Sequence, residues 1–148
     1  PDPAGARVSA MDMLARREHS ERELSRKLAS RGYDQAVIED TIEGLVADGL
    51  LSNARFVESF VHSRFQRGQG PVKIRAELRE RGIDDSAIDH WLEFYGHQWR
   101  ELAGQVREKK FGNSLPGDFR ERSRQMRFLQ QRGFDAEQIR SVLSDDDW

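Results

Sequence analysis

Cysteine is missing altogether from the 148 residues. A disulfide scaffold, a thiolate metal site and a cysteine nucleophile are therefore excluded. Prolines number four and tyrosines two, while Leu, Arg, Glu, Ala and Gln are abundant, a usage that favours helix over sheet. No apolar run approaches the roughly 20 residues that a bilayer requires, and the first residues lack the basic-then-apolar order of a signal peptide. The expectation is a cytoplasmic protein with no membrane segment. The chain opens at Pro1 without methionine, which reads as a trimmed start with a segment missing before it. Residues 1 to 5 read as a loose end.

Chemistry-bearing motifs are equally scarce. Gly68-Gln69-Gly70 lacks the third glycine, the Lys-Ser/Thr pair and the preceding strand of a phosphate or dinucleotide loop, and reads as a helix break before Pro71. The histidines His19, His62, His90 and His97 show no metal-ligand spacing and are expected at surface or cap positions. No Gly-x-Ser-x-Gly occurs. The run Asp145–Asp147 could attract cations weakly, but such tails are usually solvated. The expectation is a protein that is not an enzyme, with no catalytic residue, no cofactor and no metal.

What is present is charge, and it is patterned. Charged residues make up 34% of the chain beside 36% hydrophobic ones, a balance that without pattern would suggest disorder. An internal repeat supplies the pattern. Leu28–Ile38 reads LASRGYDQAVI, Leu78–Ile88 reads LRERGIDDSAI, and Leu129–Ile139 reads LQQRGFDAEQI. Leu, Arg, Gly, Asp and Ile recur in step. Gly32, Gly82 and Gly133 are structural residues that supply the left-handed conformation ending a helix, and the Arg before each complements the helix dipole. The Asp after each is an N-cap. Each block is therefore helix, tight turn, helix.

A further helix precedes each block: about Ala6 to Arg17, then the Phe56/Val57/Phe60/Val61/Phe65 stripe, then Trp99 to Phe111. Ser20 and Glu23 form a capping box, and Pro71 suits a first helical position. The spacing predicts an all-α fold of three tandem three-helix, helix-turn-helix-like repeats over residues 1–49, 50–97 and 98–148. The joints Asp48-Gly49 and Gly96-His97 are short, so the repeats are expected to form an elongated arc.

The net charge of −2 hides a segregation. Residues 33–50 and 83–98 carry no basic side chain, whereas 51–82 carry seven against three acidic and 99–133 carry nine against four. First and second helices are basic and third helices acidic. Arg120, Arg124, Arg127 and Gln131 fall within roughly 60° of one another on the second helix of the third repeat, with Phe119, Met126 and Leu129 on another face that can pack. This is either a solvated surface or a surface for an acidic partner, and Lys73, Arg75 and Arg79 repeat it in the second copy. Arg64 interrupts the Phe stripe; a structural ion pair with Glu77 is the favoured account over a direct partner contact. Trp91 reads as a core position and Trp99 as a residue at the joint between repeats. A duplex-reading recognition helix is disfavoured, because every third helix would be repelled by DNA.

The stretch Leu51-Ser-Asn-Ala-Arg55-Phe56-Val57-Glu-Ser-Phe60-Val61-His-Ser63-Arg64, followed by Gly68-Gln-Gly70-Pro71, Ile74, Glu77-Leu78 and Gly82-Ile83, resembles the RecX family, regulators of the bacterial recombinase RecA. His19–Leu24 with Lys27-Leu28, Lys109–Gly112 with Leu115-Pro116, and Arg127–Leu129 with Arg132–Phe134 support it over about Arg17 to Ser144. Ser52-Asn53 stand where the family usually has an acidic pair, which bears on a cap or partner contact there. The resemblance implies a non-enzymatic negative regulator that binds the RecA nucleoprotein filament, inhibits its ATPase, strand-exchange and co-protease activities, and binds single- or double-stranded DNA weakly. An independent non-sequence-specific DNA-binding protein is the alternative. Lys73, Arg75, Arg79, Arg120, Arg124 and Arg127 are the expected contacts to partner or DNA, and the protein is expected to be a monomer.

Overall fold

Every helix-turn-helix block of the sequence carries its own stop and start signals, and the backbone obeys them. The computed structural model describes residues 2–144, and among the described residues there are nine α-helices and no strand. They are α1 (Pro3–Arg16), α2 (Glu21–Ser30), α3 (Gln35–Ala47), α4 (Asn53–Gln66), α5 (Pro71–Glu80), α6 (Asp85–Tyr95), α7 (Gln98–Phe111), α8 (Phe119–Gln131) and α9 (Ala136–Leu143). The acidic run Asp145–Asp147 lies outside the described residues.

The three turns are built alike. Leu28, Leu78 and Leu129 are fully buried, and their carbonyls accept the amides of Tyr33, Ile83 and Phe134 at 3.3, 3.1 and 3.1 Å. This closes a Schellman motif around a glycine at positive φ. The carboxylates of Asp34, Asp84 and Asp135 then accept from Val37, Ala87 and Gln138 three residues on, satisfying amides that would otherwise start a helix unpaired. The capping box of Ser20 and Glu23 is present at the head of α2.

Gly133 is held to glycine twice over. Its φ is +100°, and a Cβ there would lie 2.5 Å from the Lys73 Cβ and 3.0 Å from the Gly70 carbonyl oxygen. The Gly70 amide donates to the Arg132 carbonyl at 2.7 Å and the Val72 amide to the Gly133 carbonyl at 2.8 Å. The turn that ends α8 thus satisfies the first amides of α5, which is the job of the break at Gly68–Gly70.

Contacts divide the chain into two compact units, one of residues up to Phe60 with Leu78–Ile88, the other of Val61–Glu77 with residues from Asp89 onward. In the first, α1, α2 and α3 pack pairwise around Ala10, Met13, Leu24, Leu28, Ile38, Ile42, Leu45 and Leu51. In the second, α7, α8 and α9 pack pairwise, with Trp99, Ala103, Leu129, Phe134 and Ile139 buried. Trp99 donates its indole N–H to the Leu92 carbonyl at 2.8 Å, joining the end of α6 to α7.

Several expectations change. The opening segment is not loose from residue 2 onward: the Asp2 carboxylate caps α1 by accepting from Ala4, Pro3 opens the helix, and Gly5 lies under the Tyr33 hydroxyl. Ser52, in place of an acidic residue, caps α4 by accepting from the Arg55 amide at 3.1 Å, and the Asn53 side-chain Oδ1 accepts from the Glu21 amide at 2.8 Å. Trp91 is only partly buried, edge-on to His90 and Phe94, because Leu92 takes the core position. Phe119 does not pack: at the first position of α8 it is 83% exposed.

Candidate functional site

The six basic residues expected at a partner surface are treated differently by their neighbours. On α5, Arg75 pairs with Asp89 of α6, and Arg79 makes a two-pronged contact with Asp85 at 2.8 and 3.2 Å. Both carboxylates sit one helical turn apart on α6, so the acidic third helix neutralises the basic second one directly. Lys73 is exposed, its Cβ lying against Gly133. On α8, Arg124 contacts both oxygens of Glu121 at 3.1 Å and lies over the Phe111 ring. Arg120 and Arg127 are exposed, and no carboxylate among the described residues pairs with either.

Arg64 meets Glu77 at 3.4 Å, both side chains about four-fifths buried, and Gln69 donates its amide to the other Glu77 oxygen at 2.7 Å. Each recurring Arg at a helix end also has a specific task beyond the dipole. Arg31 hydrogen-bonds the Ser9 hydroxyl. Arg81 reaches Glu23 and lies 5.0 Å over the Phe60 ring. Arg132 donates to the carbonyls of Arg67 and Gly68.

Three features escaped the sequence. His19 is 2% exposed, not a surface or cap residue. Its Nδ1 lies 3.1 Å from the Arg17 carbonyl and its Nε2 2.9 Å from the Lys27 ammonium. Since the carbonyl can only accept and the ammonium only donate, the ring is the neutral Nδ1–H tautomer. Burial lowers the pKa of His19 and of Lys27. Burial would raise that of Glu23, but the Arg17 hydrogen bonds and the Ser20 amide outweigh it and hold the carboxyl low. The second is Arg107, 3% exposed, which donates to the Ser114 carbonyl and Gln125 Oε1 while its Nε has no partner among the described residues. It pins the 112–117 loop to α8.

The third is a cleft of about 470 Å³ between the α4–α5 turn, α7 and α8. Leu102, Val106 and Phe128 line it together with Arg67, Lys109, Lys110 and Arg132, and no carboxylate among the described residues does. The signal was present as the adjacent Lys109-Lys110 and the i, i+4 pair Phe128 and Arg132, but Arg67 comes from another repeat. No group of three or more His, Asp or Glu able to hold a metal occurs among the described residues, and no helix among them is long and apolar enough to cross a membrane.

Three family models cover most of the chain: the first, second and third three-helix domains of RecX match residues 6–45, 52–92 and 98–143. The chain belongs to the RecX family. A relative named Regulatory protein RecX from Halorhodospira halophila is 49% identical over 138 residues, covering 93% of this chain and 86% of that one. Another of the same name from Pseudomonas savastanoi pv. phaseolicola is 45% identical over 142 residues, covering 96% and 92%. The crystal structure of RecX from Lactobacillus salivarius shares the fold with a TM-score of 0.78 at 21% identity, over 95% of this chain and 94% of that one. A second RecX crystal structure has a TM-score of 0.81 at 23% identity, over 95% and 72%. RecX relatives are thus regulatory proteins by name, and the all-α fold is that of the RecX three-helix domains.

Proposed function

We propose that this chain is a negative regulator of the RecA recombinase, which binds the RecA nucleoprotein filament and inhibits its ATPase, strand-exchange and co-protease activities without catalysing a reaction. It would thereby restrain recombination, repair and the SOS response in the cytoplasm, acting as a monomer. Membership of the RecX family supports the partner. The observation that carries the surface is α8, where Arg120 and Arg127 stay exposed and have no carboxylate partner among the described residues while α5 has Arg75 and Arg79 already neutralised. Unpaired arginines suit an acidic protein surface or phosphates, since the planar fork binds either in two-pronged fashion. Lys73 stands with them; Arg75, Arg79 and Arg124 contribute only on exchanging their internal partners. A ligand regulates a filament by binding its states with different affinity, so inhibition requires contacts that the active filament state lacks.

The test is single-stranded-DNA-dependent ATP hydrolysis by the cognate RecA. Strong inhibition well below one molecule per RecA protomer is expected. A second reading, an independent non-sequence-specific DNA-binding protein, draws on the carboxylate-free cleft. It predicts no inhibition and tight binding to bare DNA that weakens steeply with salt; that pair of results would overturn the first reading.

A further inference from the structure

Helix α2 places Glu23 and Lys27 one turn apart, the order in which a carboxylate ordinarily pairs with an ammonium on a helix surface. Here the pair is not made. Both Glu23 oxygens are taken by Arg17 at 3.2 and 3.1 Å, and one of them also accepts from the Ser20 amide. Lys27 meets a neutral acceptor instead, its Nζ 2.9 Å from His19 Nε2, and no carboxylate among the described residues pairs with it. The other lysines of the chain are Lys73, Lys109 and Lys110, and no histidine hydrogen-bonds any of them among the described residues.

Lys27 and His19 share a pocket of about 450 Å³ in the first repeat, lined also by Arg16, Arg17 and Arg31 and by no carboxylate among the described residues. Arg31 is engaged by an uncharged group, the Ser9 hydroxyl. Arg16 reaches Asp12 only at 3.5 Å, with both side chains mostly in solvent. The pocket is therefore net positive and suits a phosphate. Burial and the neighbouring Arg17 and Arg31 lower the pKa of Lys27 against the opposing pull of Glu23, so a larger share of it is amine than at an ordinary lysine. An amine that donates one N–H to His19 Nε2 keeps its lone pair for attack. Lys27 is exposed, so a small donor can reach it.

We propose that Lys27 is an acylation site for small acyl phosphates: the phosphate rests among Arg16, Arg17 and Arg31, Lys27 Nζ attacks the acyl carbon, and His19 Nε2 takes the proton that the nitrogen sheds. The C–N bond forms as the C–O bond to phosphate breaks. The phosphate leaves with the electron pair of that bond and receives the proton from His19, so that an uncharged amide and hydrogen phosphate are the products. The pocket thereby loses one cation. This site stands apart from the regulatory reading and holds or fails whether or not the chain acts on RecA.

The test is incubation of the full chain with acetyl phosphate, with acetylation at each lysine followed by peptide mass spectrometry. Lys27 should react about tenfold faster than Lys73, Lys109 and Lys110, a small part of what a positioned proton acceptor can contribute; equal rates at the four lysines would overturn the site. Inorganic phosphate should slow Lys27 more than the other three, and a Lys27 rate that phosphate leaves untouched would overturn it too. N-hydroxysuccinimidyl acetate carries no phosphate, so Arg16→Gln/Arg31→Gln should lower the reactivity of Lys27 toward acetyl phosphate relative to that donor; an unchanged ratio would remove the arginines from the site. His19→Phe should slow Lys27 with both donors, and a folded variant that reacts as wild type does would remove the ring. If its melting curve shows that His19→Phe does not fold, the phosphate competition on the wild-type chain still decides.

Discussion

Helices α5 and α8 occupy the same place in successive repeats and look alike in sequence, both rich in Arg and Lys, yet the fold disposes of their charge in opposite ways. Arg75 and Arg79 of α5 are matched by Asp89 and Asp85, and the first amides of α5 are covered by the Arg132–Gly133 turn. On α8, Arg120 and Arg127 have no such match among the described residues and Phe119 stands in solvent. The difference teaches that a basic stripe in a sequence is a surface only after the neighbouring helix has taken its share. In α5 two of the three cations are taken up by α6, whereas Arg120 and Arg127 of α8 stay exposed with no carboxylate against them among the described residues.

The largest expected effect on that comparison comes from the turn that seats α5. Gly133→Ala pushes a methyl into the Lys73 Cβ and adopts a left-handed backbone, so a loss on the order of 3 kcal/mol is expected, read by chemical denaturation. Gly32→Ala shares the positive φ, at +92°, but Gly32 is exposed, and about 1 kcal/mol is expected. Equal losses at both sites would show that the α5 seat adds nothing.

Next comes Arg64→Ala, which leaves Glu77 of α5 without its cation. The pair is partly exposed, so the cost is discounted to about 1 to 2 kcal/mol; an unchanged melting temperature would refute the structural role. Acid should also destabilise the first repeat. The folded-state pKa of His19 lies below its ordinary value, so the unfolded chain binds the extra proton first. Stability is then full above about pH 6.5 and declines as pH falls below it. Glu23, held low, loses its contribution at still lower pH. A melting-temperature profile from pH 8 to 5 should fall in wild type and be flatter in His19→Gln; parallel profiles would contradict this.

The smallest effect on stability belongs to Asp85→Asn/Asp89→Asn, which makes α5 resemble α8 by freeing its arginines. The Arg79–Asp85 pair is exposed and the Arg75–Asp89 pair partly so, and less than about 1 kcal/mol should be lost for each. Oligonucleotide affinity should rise, and a failure to rise would mean that freed charge alone does not make a binding face.

The turns were legible in the sequence because each is a local device: Leu, Gly and Asp within seven residues determine a helix end and the next start, and three copies repeat it. The capping box at Ser20 and the break at Pro71 were legible for the same reason. The neutralisation of α5 was harder to see, because Arg75 and Asp89 are brought together by the turn between them rather than by spacing on one helix. His19 and Arg107 were missed because burial of a polar side chain depends on distant partners, namely the Lys27 ammonium and the Gln125 amide. The cleft needed Arg67 from the turn after α4, Lys109 from α7 and Phe128 from α8, and Phe119 was misplaced because amphipathic spacing does not say where a core ends.

The most direct test of the central claim compares inhibition of single-stranded-DNA-dependent ATP hydrolysis by RecA for wild type and for Arg120→Glu/Arg127→Glu. The account predicts that the double variant melts as wild type does and has lost most of its inhibition, while Lys109→Gln/Lys110→Gln keeps more of it. Full inhibition by Arg120→Glu/Arg127→Glu would contradict the account.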